Sequence, residues 1–312
     1  MKIYYNVDDF NPARNAVVTS GTFDGVHVGH QKILNRLKEI ASDIGGETVV
    51  ITFWPHPRYV LKPGATPHLL LNTFEEKAGL IKEQGIQHLL RIPFTKEFSQ
   101  TTSQEFIENI LVKRIGTKKL VIGYDHKFGK DREGSFEQLR INAPNYGFEV
   151  EEIPRQDVDH IGVSSSRIRL ALEEGDIDTA THFLGRPYSL CGRVVSGDKL
   201  GRVLGYPTAN IDIDSNEKLV PAHGIYAVIV EHESERLKGV LYIGNRPTID
   251  GSRLAIEVNI FDFNKDIYGE NLKVNLVAAV RKDAKFDDLE TLKKQMEIDK
   301  IQAIKALSGR LL

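Results

Sequence analysis

The stretch Gly21-Thr22-Phe23-Asp24-Gly25-Val26-His27-Val28-Gly29-His30 sets two imidazoles three residues apart inside a glycine-rich turn. Before it runs the short β-branched segment Asn15-Ala16-Val17-Val18-Thr19-Ser20, and after it Ile33, Leu34, Leu37 and Ile40 recur at helical spacing. Strand, glycine turn and helix start form the geometry in which backbone N–H groups and the helix dipole hold phosphate. Histidines add donors that can follow charge as it moves. Two other readings stand beside this one. One histidine caps the helix while the other is merely solvated, or the pair holds a metal, for which no third ligand of matching spacing is evident.

Outward from the turn, strand and helix patterns alternate up to about residue 185. Residues 48–53 (TVVITF), 87–92 (QHLLRI) and 119–123 (KLVIG) read as buried parallel strands, with helices over 73–84 and 103–114. Alternation of this kind implies a doubly wound, Rossmann-like α/β sheet that binds ligands at its strand carboxyl ends. After Gly185-Arg186-Pro187 the pattern changes. Residues 189–196, 224–231, 237–243, 254–261 and 272–280 are closely spaced strand candidates separated by glycine-rich turns, as in a small antiparallel barrel or sandwich. A final amphipathic helix is expected to bury Phe286, Leu289, Leu292, Met296, Ile301, Ile304 and Leu307 on one face. Two domains follow, residues 1–185 and 186–312, with a short boundary near 184–188.

Composition narrows the function classes. The 312 residues exceed the ~250 at which single cores stop growing. A net charge of -2 argues against a general nucleic-acid or membrane-surface binder. The one cysteine, Cys191, excludes an internal disulfide and suits a reducing cytoplasm. No run approaches the ~18 apolar residues of a membrane helix, and the N-terminus lacks the features of a secretory signal. A soluble cytoplasmic protein acting on small molecules is expected, with self-association left open.

Three later segments suit the opening turn. In Thr52-Phe53-Trp54-Pro55-His56-Pro57-Arg58 two prolines fix where Trp54 and His56 point, for a stacked ligand or only a rigid loop. The glycine-bounded loop 123–134 carries Asp125, His126 and Phe128 directly after a strand, as a ring-binding loop or an exposed turn. Ser164-Ser165-Ser166-Arg167-Ile168-Arg169 opens a helix with hydroxyls and guanidinium groups, which suits a pyrophosphate as well as an ordinary cap. An attacking phosphate with a second pKa of about 6 is already largely ionised. Nucleotidyl transfer therefore needs alignment and donors for the moving charge, which His27, His30 and Arg169 can supply.

In the second half, Gly192, Gly197, Gly201 and Gly205 precede Tyr206-Pro207-Thr208-Ala209-Asn210 without matching the P-loop pattern. Thr208 and Asn210 offer neutral oxygens on one side of an extended segment, which suits a magnesium ion, although Pro-Thr-Ala-Asn also reads as a plain turn. Across residues 254–261, Glu257 and Asn259 face away from Leu254, Ile256, Val258 and Ile260. That face is either solvated or lines a cleft in which Glu257 could accept a proton from an alcohol.

These motifs, in this order, resemble the prokaryotic bifunctional FAD synthetases, in which a riboflavin kinase is joined to an FMN adenylyltransferase. The resemblance extends to His223-Gly224-Ile225-Tyr226 and Ile243-Gly244-Asn245-Arg246-Pro247-Thr248. It implies that the C-terminal barrel phosphorylates riboflavin with ATP and Mg²⁺. Glu257 would be the base and Thr208 and Asn210 would lie at the metal, with Gly197, Lys199, Gly201 and Pro207 along the nucleotide. The N-terminal domain would transfer AMP from ATP to FMN, giving FAD and pyrophosphate. Here His27, His30 and Arg169 would be catalytic, and Gly21, Phe23, Asp24, Gly29, Ser165, Ser166 and Arg167 would bind nucleotide. His56, Asp125, Phe128, Asn259 and Arg281 would lie near flavin. The family pattern often has an acidic residue at Trp54, an aromatic at His126 and a glutamate at Asp283. The alternatives are one retained activity, or a flavin binder with no catalysis.

Overall fold

The computed structural model describes residues 1–62, 69–123, 128–130, 133–134, 136–153, 162–197, 201, 204–213, 215–248 and 251–309. It divides into two compact units, Met1–Ser165 and Ser166–Leu312.

The first unit is built on six parallel strands: β1 (Lys2–Tyr4), β2 (Ala16–Ser20), β3 (Thr48–Trp54), β4 (His88–Pro93), β5 (Thr117–Gly123) and β6 (Glu149–Ile153). Their order is β1-β4-β3-β2-β5-β6. The chain therefore leaves β2 toward β3 and β4, then returns to add β5 and β6 on its other side. β2 and β5 flank the point where the winding reverses, and a doubly wound sheet opens its crevice at the carboxyl ends there. Alternate residues of each strand feed two cores. Val18, Val49, Ile51, Leu90, Leu120 and Ile122 pack on one face, and Val17, Val50, Leu89 and Val121 on the other. The second face is covered by α1 (Val28–Asp43), through Leu34 and Leu37, and by α3 (Phe74–Glu83), through Phe74 and Ile81. A Thr73–Glu76 capping box starts α3. Between them α2 (Pro57–Leu61) is a single short turn. The helix expected over 103–114 begins as α4 (Ser103–Glu105) and runs on with π-type hydrogen bonding over Phe106–Ile115, ending at Gly116 with φ 71. α5 (Phe136–Tyr146) precedes β6.

The boundary between the units falls at the start of α6 (Ser165–Glu174). α7 (Ile177–Leu184) follows and packs on strands of the second unit. That unit is a closed barrel of β7 (Tyr188–Val195), β8 (Ala209–Asp212), β9 (Gly224–His232), β10 (Glu235–Thr248), β11 (Gly251–Ile260) and β12 (Asn271–Lys282), in the order β10-β11-β8-β7-β12-β9. β8 is the four-residue piece that closes it, pairing Asn210 with both Val195 and Glu257.

The last helix, α8 (Leu289–Leu307), starts at the Asp288 cap and lies against β9, β10 and β12. Its buried face corrects the sequence expectation. Asp299, Ala303 and Leu307 are buried, whereas Leu289, Ile301 and Ile304 are 55%, 62% and 40% exposed. Small Ala303 lets the helix approach the outward Ala227 and Ile229 of the barrel, and close approach outweighs the larger apolar side chains in setting the helix's rotation.

Candidate active sites

The histidine turn leaves the carboxyl end of β2 at the winding reversal. His27 is the N-cap of α1, and its Nδ1 accepts the backbone N–H of His30 at 3.3 Å. That bond fixes the tautomer, with the proton of the neutral ring on Nε2. The two imidazoles stack with centroids 3.6 Å apart at 14°, and Phe23 lies 5.1 Å from His30. His27 is buried and His30 half-buried. Capping and ligand binding are thus compatible in one side chain.

The turn is held from several directions. Asp24, itself buried, accepts the N–H of Leu71 on its carboxylate at 3.0 Å, and its carbonyl accepts the Ser165 hydroxyl at 2.9 Å. Ser165 therefore brings the first residue of α6 to the histidine turn. Ser166 and Arg167 are exposed, with Arg167 over the Phe183 ring at 5.0 Å. Arg169, one helical turn on from Ser165, is buried. Gly29 is buried in the first turn of α1, and Gly21 packs against the Phe23 ring. Sequence reading passed over Lys77, whose Nζ donates to the Thr22 carbonyl at 2.7 Å from a buried position on α3. A lysine inside an amphipathic helix pattern reads as surface, and nothing local marks it otherwise.

The flavin candidates of this unit are spread out. His56 caps α2, its Nδ1 accepting from the Arg58 N–H at 3.2 Å, and Trp54 packs on Phe74. Phe128 is a core residue 5.7 Å from the Phe106 ring rather than an open stacking face. Asp125 and His126 lie outside the described residues, as does Lys199 of the second unit. A recess of about 740 Å³ beside Lys118, Arg140 and Glu149 opens at the amino ends of β5 and β6, away from the turn.

In the barrel, Glu257 is 5% exposed, on the face of β11 opposite the core residues Ile256, Val258 and Ile260. Its Oε2 accepts the Thr208 hydroxyl at 3.1 Å. Asn259 donates to the Pro207 carbonyl at 2.7 Å and so pins the Pro207–Asn210 segment beside the carboxylate. Of the two sequence readings, the solvated face gives way to a buried one. Gly197 approaches the Asn210 side chain so closely that a Cβ would collide with it, and a Cβ at Gly201 would meet the Tyr206 carbonyl and Thr208. Hydroxyl, amide and carboxylate oxygens cradled by two glycines fit a hard divalent cation that keeps water and substrate oxygens. Among the described residues no group of three or more His, Cys, Asp and Glu is placed to hold a metal, so the two-histidine metal reading gains no third ligand. Beside Pro207, Thr208 and Ala209 opens a recess of about 430 Å³, completed by Phe263, Asn264 and Tyr268. Arg281, expected near flavin, makes a two-pronged ion pair with Asp299, both contacts 2.8 Å.

A glycine turn with two histidines at a winding reversal and a barrel with a buried carboxylate fit one class of protein, the transferases of phosphorus-containing groups. The comparisons with known proteins sharpen that class. A family model for FAD synthetase matches residues 10–167, and one for riboflavin kinase matches residues 184–307. The bifunctional riboflavin kinase/FMN adenylyltransferase of Bacillus subtilis is 36% identical over 94% of this chain and 93% of its own length. The protein of the same description from Pseudomonas fluorescens is 38% identical over 95% and 94%. A crystal structure titled as a macrolide-efflux protein from Streptococcus pneumoniae superposes with a TM-score of 0.87 at 32% identity, covering 100% of this chain and 99% of that one. No helix among the described residues is long and apolar enough to cross a membrane. The chain belongs to the bifunctional riboflavin kinase/FMN adenylyltransferase family.

Proposed function

We propose that the chain makes FAD in two steps, phosphorylating riboflavin to FMN and then adenylylating FMN, with ATP as co-substrate of both. Residues 186–312 would carry the first step and residues 1–185 the second. The observation that carries the first assignment is the buried Glu257 carboxylate bonded to the Thr208 hydroxyl. A carboxylate in that setting can accept the proton of the riboflavin 5′-hydroxyl as its oxygen attacks the γ-phosphorus. The new O–P bond forms as the bond to the β-phosphate oxygen breaks, and ADP leaves. Mg²⁺, with Thr208 and Asn210 as its holders, would neutralise phosphate charge. Gly197 and Gly201, with Lys199 and Pro207, would leave room for the nucleotide, while Asn259 orients the Pro207 carbonyl. Arg281 would reach flavin by exchanging Asp299 for it.

For the second step, a phosphate oxygen of FMN attacks the α-phosphorus of ATP and pyrophosphate departs, with no base required. The Nε2–H of His27 and its stacked neighbour His30 would supply donors for the charge that builds there, a role for which Arg169 is also a candidate by its motif. Gly21, Phe23, Asp24, Gly29 and Ser165 shape the turn, and Ser166 and Arg167 follow Ser165 in sequence as nucleotide-binding candidates. His56 and Asp125 remain the flavin-side candidates, Phe128 being taken up by the core. The single cysteine and the substrates support a cytoplasmic location, and the slight negative charge agrees with small-molecule partners.

Incubation with riboflavin, ATP and Mg²⁺, followed by chromatography of the flavins, tests the proposal. FAD is expected. FMN alone would leave one activity, and unchanged riboflavin would leave a binder. His30→Ala should accumulate FMN without FAD, and Glu257→Ala should make FAD only from supplied FMN. Equal loss of both steps in either variant would refute two independent pockets.

A further inference from the structure

We propose that Lys77 is a positioning residue for adenylyl transfer, its buried ammonium group holding the histidine turn in the shape that receives the nucleotide. The inference rests on the assignment of that turn to adenylyl transfer.

The turn cannot keep its shape by local preference. Phe23 and Val26 hold φ values of 48 and 40, the left-handed region that residues with side chains avoid, β-branched ones above all. Such a backbone persists where the surroundings over-determine it. The Asp24 carboxylate is tied to Leu71 and the Asp24 carbonyl to Ser165. The third tether is Lys77, whose Nζ meets the Thr22 carbonyl at 2.7 Å; the Thr52 hydroxyl shares that carbonyl at 3.3 Å. The Trp54 ring closes over the ammonium at 5.3 Å.

This tether carries a cost that can be read from its ionisation. Burial pulls the Lys77 ammonium down from 10.5 to about 8, and the field of Asp24, which works upward, does not cancel it. Asp24 faces Lys77 from the turn, β3 contributes the Trp54 ring and the Thr52 hydroxyl, and Glu76 on α3 itself is turned to the Thr73 N–H at 2.9 Å. The unfolded chain thus holds this proton more tightly than the folded one. The charged lysine opposes folding below about pH 8, and the penalty fades as pH rises toward 10.5. A residue kept for stability alone would not carry that penalty. One that braces a strained turn and adds positive field beneath an anion site has a reason to.

The test uses the full chain with FMN and ATP from pH 6.5 to 9.5, with riboflavin phosphorylation followed on the same preparations. Lys77→Met is expected to lower adenylyl-transfer kcat/KM for ATP by about tenfold or more at pH 7. Riboflavin phosphorylation should be unchanged and the thermal midpoint no lower than in the unsubstituted protein. The unsubstituted protein should lose adenylyl transfer above about pH 8 in step with the titration of one ¹³Cε-lysine resonance absent from Lys77→Met. Unchanged kcat/KM in the variant overturns the proposal, and so does a loss matched by a lowered midpoint, which marks a merely structural lysine. Should Lys77→Met fail to fold, the unsubstituted protein decides alone, the Lys77 resonance then being identified as the lysine signal that titrates well below 10.5. Coincidence of the alkaline activity limb with the lysine resonance supports the role, and their separation overturns it. Absence of FAD formation at every pH would instead remove the assignment of the turn, and the role of Lys77 with it.

Discussion

The Nδ1 of His27 is committed to the start of α1 while its ring stacks on His30, so one side chain both caps a helix and presents a donor. The two roles separate by substitution. His27→Ala should cost about 1 kcal/mol through loss of the cap and abolish FAD formation. His27→Asn, whose side chain caps well, should recover the stability but not the transfer. Denaturant midpoints and flavin chromatography on both variants check this. The imidazoles were legible in the sequence because glycines and a β-branched strand surround them. Glu257 was legible only as a choice between a wet face and a cleft, since the segment that covers it comes from Pro207–Asn210, some fifty residues earlier in the chain. Lys77 gave no signal, because its burial is created by the turn and Trp54 rather than by its own helix.

Among the elements, parallel strands and most helices appear where hydropathy placed them, and differences arise where partners outside the element decide. Pro207-Thr208-Ala209-Asn210 reads locally as a turn, yet β8 forms because β7 and β11 each supply an edge. α8 offers a broad apolar surface, and the barrel selects the narrow stripe through Asp299, Ala303 and Leu307. Within that stripe Asp299 is buried against Arg281, and Gln295 donates to the same carboxylate at 2.9 Å. Asp299→Asn should therefore leave a half-buried guanidinium without its counter-charge. We expect a loss of about 3 kcal/mol, read as a lower midpoint for barrel unfolding, with the adenylyl-transfer rate preserved. Equal midpoints would show that the ion pair contributes no net stability.

At the scale of the whole molecule, each unit has its own core, and the two proposed steps rest on different key residues, so they should complement between chains. A mixture of His30→Ala and Glu257→Ala proteins should convert riboflavin to FAD, although neither does so alone; continued absence of FAD would show that FMN does not pass between chains. The sequence by itself determined the class of each half, because strand and helix periodicity and glycine spacing are local properties of the chain. It also offered candidate residues for both proposed pockets, since the motifs that carry them are contiguous. Only the tertiary structure decided that β8 closes the barrel, that α8 turns its alanines inward, and that Glu257 and Lys77 are buried. Burial and strand pairing depend on segments far away in sequence, and their free energy exists only once those segments meet.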